Sequence, residues 1–547
     1  MVQSRERMHE PFDDPEGLRS LPSHCRTLVL HSRTSAPSHL RTVGVSMIRV
    51  CATVWMTVLA AVAPGSAAGD LRLVSAVKDG DRQTVVQLLR SGLSADAGEP
   101  DGTTPLHWAV RAGDLDTARL LLGAGARATA ANRYGVTPLA LAATNGDADA
   151  IRMLLEAGAD PDTTTTDGET VLMTAARTGR VEAARALIVR GAKVNGAEGW
   201  MGETALMWAA AEGHADMVTL LAEAGADLNA RATSLEFPKI TFNGSTMVST
   251  PLPRGGMTAL LLAAREGSLA GTRALADAGA DLNIADRDGT TPLIMAIVNR
   301  HNDVAGLLIE KGAELNAADS TGMTALYAAV DLRQLGPLIN RPTPKQTGEI
   351  DNLALVSALL DRGANPNARL RLPILPRFHN AGDAVLAEGA TPLMRAARGR
   401  DIPVMRLLFD KGADPNLATR NYTTALMFAA GLGGGRRGAT QSQAVEAVQM
   451  CLDHGADVRA FNNAGTTALH AATEAGADPI VTLLAEHGAD LDVQDKSGRT
   501  PLDIAMGVSP GGFVGRRGAA PGQVRESTAA LLKQLASGAA RAGTSRP

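Results

Sequence analysis

A threonine followed two residues later by leucine recurs at positions 104, 137, 170, 204, 258, 291, 324, 391, 424, 467 and 500, and most of the steps are 33 residues. A chain patterned this way is assembled from copies of one short unit. Residues 101–133, DGTTPLHWAVRAGDLDTARLLLGAGARATAANR, carry that unit in full. Thr104 offers a capping hydroxyl, and Pro105 stands at the first helical position, where its missing N–H costs nothing. Leu106, Ala109 and Val110 fall on one face at helical spacing, and Gly113 ends the helix in the left-handed conformation. A second amphipathic run over 115–122 closes at Gly125-Ala126 and leads through a polar turn to Gly135. Each unit is therefore a turn and two antiparallel helices. It cannot bury its apolar face alone, so the copies must stack.

The second run ends in Gly-Ala at 125, 158, 191, 225, 279, 312, 363, 412, 455 and 488. This skeleton resembles the ankyrin repeat over roughly residues 70–537. The resemblance implies an all-α ankyrin-repeat solenoid of about twelve helix pairs spanning 69–538. It would have a cap at 70–100, repeats at 101–506, a C-terminal cap helix at 526–537 and a disordered tail at 539–547. It also implies a non-catalytic module that binds a protein partner through its finger turns and first helices, and it places His107 and His470 where the ring supports neighbouring turns.

Departures from the 33-residue period mark insertions. Residues 231–254 and 369–387 follow a second helix and enlarge the finger side; 331–352, 431–442 and 507–525 fall between helices, on the opposite edge. Asn243-Gly244, between alternating apolar flanks, predicts a small hairpin. Tyr422 replaces a turn glycine, which predicts a deviating turn at 420–423 with an exposed ring, and His301 with Asn302 stand where glycine usually ends a first helix.

Residues 1–46 are rich in Ser, Arg, Pro and His, lack apolar periodicity, and are expected to be disordered. From Met47 the chain reads MIRVCATVWMTVLAAVAPGSAAGD: one arginine, an apolar run over 50–63, a Pro-Gly break and small residues at 66–68. That is the pattern of a signal peptide, short for a membrane span. Because such a signal works at an N-terminus, translation is expected to start at Met47, giving a periplasmic or secreted chain that is not an integral membrane protein once the signal is removed. The alternative is a start at Met1 and an intracellular or membrane-anchored ankyrin adaptor, with 50–63 as a buried helix or short anchor. Cleavage near Ala68 would leave Cys451 as the sole thiol, on an apolar helix.

Net charge is −4 and aromatics make up 3% of the chain, which argues against nucleic acid, whose binders carry basic faces and stacking rings. The partner expected is a protein, and the chain is expected to be monomeric. Aromatics and arginines are favoured interface anchors. The candidates for partner binding are Arg111, Arg177, Arg265 and Arg398, at one equivalent position late in the first helix, and Tyr134, Trp200, Phe237, Phe242 and Phe378 in turns or insertions. The arginines form either a basic row or a solvated, functionless one, and the phenylalanines either contact a partner or pin their own loops. Gly507 to Gly511 matches the G-x-S-x-G string, with Ser509 as a distant hydrolase alternative, but a helix precedes it and a Gly-rich loop follows, the wrong context for a nucleophile. Residues 433–440, GGGRRGAT, lack the lysine of a phosphate loop, and His470 with Glu474 make only two ligands. No cofactor and no metal are expected.

Overall fold

The computed structural model describes residues 70–165, 167–234, 255–334, 346–372, 386, 388–434, 440–508 and 524–543. The expectations for 1–68, the hairpin at 243–244, and Phe237, Phe242, Phe378 and Ser509 lie outside the described residues.

Among the described residues twenty-four helices follow one another in pairs. The first four pairs are α1 (Arg72–Lys78) with α2 (Arg82–Arg90), α3 (Pro105–Arg111) with α4 (Leu115–Gly123), α5 (Pro138–Asn145) with α6 (Ala148–Glu156), and α7 (Val171–Arg177) with α8 (Val181–Val189). Next come α9 (Ala205–Glu212) with α10 (Ala215–Glu223), α11 (Ala259–Glu266) with α12 (Leu269–Asp277), α13 (Pro292–Val298) with α14 (Asn302–Glu310), and α15 (Ala325–Gln334) with α16 (Asn352–Asp361). The last four are α17 (Pro392–Gly399) with α18 (Ile402–Asp410), α19 (Ala425–Ala430) with α20 (Gln441–Asp453), α21 (Ala468–Ala475) with α22 (Asp478–Glu486), and α23 (Pro501–Ala505) with α24 (Glu526–Gly543). Within each pair the helices pack together; each odd-numbered helix packs on the next odd one, and each even one on the next even one. The result is a two-layer all-α solenoid of twelve helix pairs, with isolated β-bridges and no strand among the described residues.

The recurring residues do the work their chemistry predicts. Thr137, Thr170, Thr204, Thr258, Thr291 and Thr391 each accept a hydrogen bond from the backbone three residues on, opening a first helix. The leucines two residues later are buried from Leu106 through Leu469, and only Leu502, in the short α23, is partly exposed. Truncating one of them to alanine removes transfer energy and leaves a cavity, about 2–5 kcal/mol.

Successive pairs are also joined by polar rungs. The Asp or Asn four residues after the second-helix glycine accepts a backbone N–H from the next repeat: Asp96 from Arg127, Asp162 from Lys193, Asn195 from Asp227, Asn229 from Asp281, Asn283 from Glu314, Asn316 from Asn365, Asn367 from Asp414, and Asn416 from Asp457. Asn195, Asn316, Asn367 and Asn416 also donate Nδ2–H to the carbonyl of the next second-helix glycine. Thr129, Arg459 and Asp492 occupy the equivalent place at the three joints without such a rung, although Arg459 Nε donates to Gly488 O across its joint. The fingers are linked along their length by backbone bonds, including Arg133 N–H to Asp101 O, Ser320 N–H to Asp288 O, and Asn463 N–H to Asn421 O.

Both finger-side insertions leave through paired bases. Ala232 N–H donates to Met257 O and Gly256 N–H to Ala232 O, and Leu370 exchanges bonds with Gly389 and Ala390. After the insertion within the α15–α16 pair, the returning chain docks on the preceding repeat: the Asp303 carboxylate accepts from Glu349 and Ile350 N–H, and Asn302 Nδ2 donates to Ile350 O.

Four local expectations are corrected. The left-handed residue after α13 is Arg300 (φ 64°), whereas His301 stands at the N-cap position of α14 without a side-chain capping bond and Asn302 is its buried first residue, because the second helix begins directly after the turn. Tyr422 does expose its ring, but its turn does not deviate: it takes φ 60° and keeps the bond from Tyr422 N–H to Thr419 O. The segment 431–442 is not all loop, since Thr440 and Gln443 form a capping box that starts α20 at Gln441. At the C-terminus α24 extends to Gly543, beyond residue 537 and into the segment expected as tail.

Candidate functional site

The inner faces of the first helices gather the chemistry that stacking does not consume. Trp108 is half-buried on α3. Its Nε1–H donates to Glu99 at 2.9 Å, Glu99 pairs with Lys78 at 2.6 Å, and the Lys78 ammonium lies 4.0 Å from the indole centroid. The Arg111 guanidinium sits 5.3 Å from the same ring. Trp208 holds the equivalent place on α9, with Arg177 from α7 5.3 Å from its centroid. Such contacts order a guanidinium while leaving its in-plane donors available.

The carboxylates of this region are turned inward. Glu169 accepts from Thr174 Oγ1 at 2.8 Å and Arg177 Nη2 at 3.2 Å. Glu203 is half-buried, and that burial, with Glu198 nearby, raises its pKa. For Glu198 burial works upward too, but the N–H groups of Glu203, Trp200, Met201 and Gly202 outweigh it and hold the carboxyl below its ordinary range.

Arg111, Arg177 and Arg265 are exposed, and each backbone carbonyl is pinned from the following repeat: Arg111 O by Asn145 Nδ2 at 3.3 Å, Arg177 O by His214 Nε2 at 3.0 Å, and Arg265 O by His301 Nε2 at 3.0 Å. Gly179 and Gly267 permit the two imidazoles to approach, since a Cβ on either would stand within 2.8 Å of a ring atom. Arg265 pairs with its neighbour Glu266 at 2.7 Å. Arg398 differs: it is half-buried, donates to Gly433 O at 3.2 Å, and has its pKa lowered by burial. Three of the four predicted arginines therefore share one open face and the fourth is tucked into the stack.

At the finger tips, Tyr134 is 58% and Trp200 74% exposed, and Arg133 lies 5.1 Å from the Tyr134 ring. Tyr422 and Phe461 are 63% and 64% exposed on neighbouring fingers joined by the Asn463–Asn421 bond.

Between α15 and α17 the inner face closes over charge. Asp331 and Arg395 form a buried ion pair, Arg333 forks onto Asp401 at 2.7 and 3.1 Å, and the buried Tyr327 beside Asp331 has its hydroxyl pKa raised, first by burial. Asp401 stands at the N-cap of α18 yet does not cap it; Asp81, Asp114 and Asp147 at the same place do.

The two buried histidines are committed to the turns. His107 and His470 are buried; each Nδ1 accepts from the N–H of Thr104 or Thr467, and each Nε2 reaches a carbonyl, Val136 O at 3.0 Å or Arg499 O at 3.2 Å. No group of three or more metal-ligating side chains occurs among the described residues. The outer-layer groove of about 850 Å³ between α10 and α12 is lined chiefly by alanines. Among the described residues no helix is long and apolar enough to cross a membrane.

Of the residues named from the sequence, Arg111, Arg177, Arg265, Tyr134 and Trp200 are exposed. Sequence reasoning missed the carboxylates beneath the arginines and the buried charge seam, whose partners meet only through folding. The rungs could have been found from the Asp or Asn that follows most second-helix glycines by four residues.

Comparison with curated proteins finds no match. The family model described as Ankyrin repeats (3 copies) matches residues 73–165, 157–232, 242–319, 260–338 and 437–509, and the single Ankyrin repeat matches 388–420. These matches cover more than half of the chain and coincide with the stacked helix pairs, so the protein belongs to the ankyrin repeat family.

Proposed function

We propose that this protein is a non-catalytic interaction scaffold of the bacterial envelope that binds a protein partner along its first-helix face and fingers. The observation that carries this reading is the open row of Arg111, Arg177 and Arg265, with Trp108 and Trp208 beneath two of its members. Arginine and tryptophan are the side chains that most often supply binding energy at protein interfaces. Export is supported by the apolar segment that begins at Met47, with small residues at 66–68.

A photo-crosslinking side chain at Leu141, on the inner face between Arg111 and Arg177, tests the site. Expressed in the native cell, it should trap a discrete partner, whereas the same side chain at Thr219 on the outer layer should not. Equal trapping at both positions overturns the reading. Sequencing the mature N-terminus tests the location: a start near Asp70 supports export, and an intact Met1 returns the chain to the intracellular alternative.

A further inference from the structure

Arg111, Arg177 and Arg265 occupy the same place in α3, α7 and α11, and α5 and α9 intervene in the stack. The three guanidiniums are thus two repeats apart, then two repeats apart again. The intervening repeats carry Thr144 and Ala211 at that place, so the row is a regular alternation of charged and neutral steps. Packed helices lie about 8–10 Å apart, which makes each step between arginines roughly 16–20 Å. An extended chain advances about 3.3 Å per residue, so one step spans about five or six of its residues. Side chains alternate in such a chain, and only an even separation returns them to one face.

The charge arrangement selects the sign of the occupant. Glu99 is held by Lys78 and Trp108 and is not turned to an incoming chain. Glu169 accepts from Thr174 and from one nitrogen of Arg177 at 3.2 Å, so Arg177 meets an incoming carboxylate with its remaining guanidinium donors rather than as an unpaired group. The Arg111 guanidinium makes no ion pair or hydrogen bond among the described residues; it is positioned by the Trp108 ring and by the backbone carbonyl that Asn145 pins. Arg265 has an exposed neighbour pair with Glu266, of a kind worth less than about 1 kcal/mol and readily exchanged, and lies within electrostatic reach of the half-buried Glu203. A planar guanidinium in fixed position is a bidentate receptor for a carboxylate.

We infer that the first-helix face from α3 to α11 receives an extended acidic peptide segment whose carboxylates recur every sixth residue, one for each of Arg111, Arg177 and Arg265. This rests on the interaction reading above and adds the partner's charge and spacing to it. Leu141 and the edge of Trp208 lie between the arginines and would meet apolar side chains in the intervals.

The test uses the full chain and three labelled fifteen-residue synthetic peptides of Ser, Thr and Val. One carries Glu at positions 2, 8 and 14, one carries Lys at those positions, and one carries Glu at 2, 7 and 12. Fluorescence anisotropy at low salt should show the first binding at least about tenfold more tightly than the others, with affinity falling as salt is raised. Arg111→Glu with Arg177→Glu should weaken it about tenfold or more. Arg111→Gln with Arg177→Gln, at exposed positions, should weaken it without lowering the melting temperature, which separates lost binding from lost folding. Equal binding of the Lys peptide, indifference to spacing, or an unchanged affinity in the double reversal overturns the inference. Should oligo-dT or anionic vesicles bind in an Arg-dependent way while the Glu peptide does not, a peptide is the wrong ligand class. If a neutral peptide binds and crosslinks at Leu141 regardless of the arginines, the acidic partner falls while the first-helix interface stands. If the Leu141 probe traps nothing, the interface itself falls.

Discussion

Protonating either imidazole at His107 or His470 would put a donor where one is already aimed inward, because Nδ1 of each accepts a backbone N–H. Burial lowers both pKa values from the ordinary histidine value of 6.5. In the unfolded chain both rings take up protons as pH falls through about 6.5, and in the native stack they resist. The stability they contribute is therefore complete above that value and is lost as pH drops from 6.5 toward their depressed native values. Urea unfolding at pH 7.5 and 5.5 should show this loss, and His107→Gln with His470→Gln should flatten it; an unchanged pH slope would assign the loss to other groups. The rungs make a second residue-scale prediction. Asn367→Ala deletes the acceptor for Asp414 N–H and the donor to Gly412 O, and should cost about 1–3 kcal/mol. Thr129→Asn, at a joint that lacks the rung, should add roughly 0.5–1.5 kcal/mol, measured as a rise in the urea midpoint. The Thr-x-x-His spacing made the histidines legible in the sequence. Glu99 was not, because nothing local ties it to Trp108 nine residues away until α1 and α3 are packed.

Between α15 and α17 the stack trades apolar contact for two ion pairs in a place that water scarcely reaches. Removing one member leaves the other charged and desolvated, so Asp331→Ala should destabilise the protein by about 3–5 kcal/mol. Replacing both, Asp331→Leu with Arg395→Met, should recover most or all of that loss, because the desolvation cost of both charges disappears together. A double substitution no better than the single one would show that packing dictates these side chains. The same element pair marks where sequence reading stopped. Helix existence was legible throughout, because threonine, leucine and glycine recur in register. The seam was not, since Asp331 and Arg395 are separated by a repeat carrying two insertions, and each alone is an ordinary charged residue on a short helix. The left-handed turns at Arg300 and Arg400 escaped for a related reason: tertiary stacking imposes the geometry, and arginine accepts its cost there.

Because each helix pair touches only its neighbours, stability along the molecule is a sum of local joints, and an opening at one joint need not spread to the next. Cys451 lies at one such joint, on α20 against α18 and α22; its side chain is wholly buried and its thiol is pushed up to about 12 by that burial. In a variant with Cys25 and Cys51 replaced by Ser, labelling with a thiol-reactive dye should be slow in the native state and should accelerate with low urea, well before the global transition; immediate labelling would show α20 already loose. The sulfur thereby serves as a clock for one place in a structure that otherwise offers few landmarks, timing how often the wall around it parts. Its chemical quiet is on loan from its neighbours, and an oxidant in the surrounding fluid can act on it only as fast as those neighbours let go.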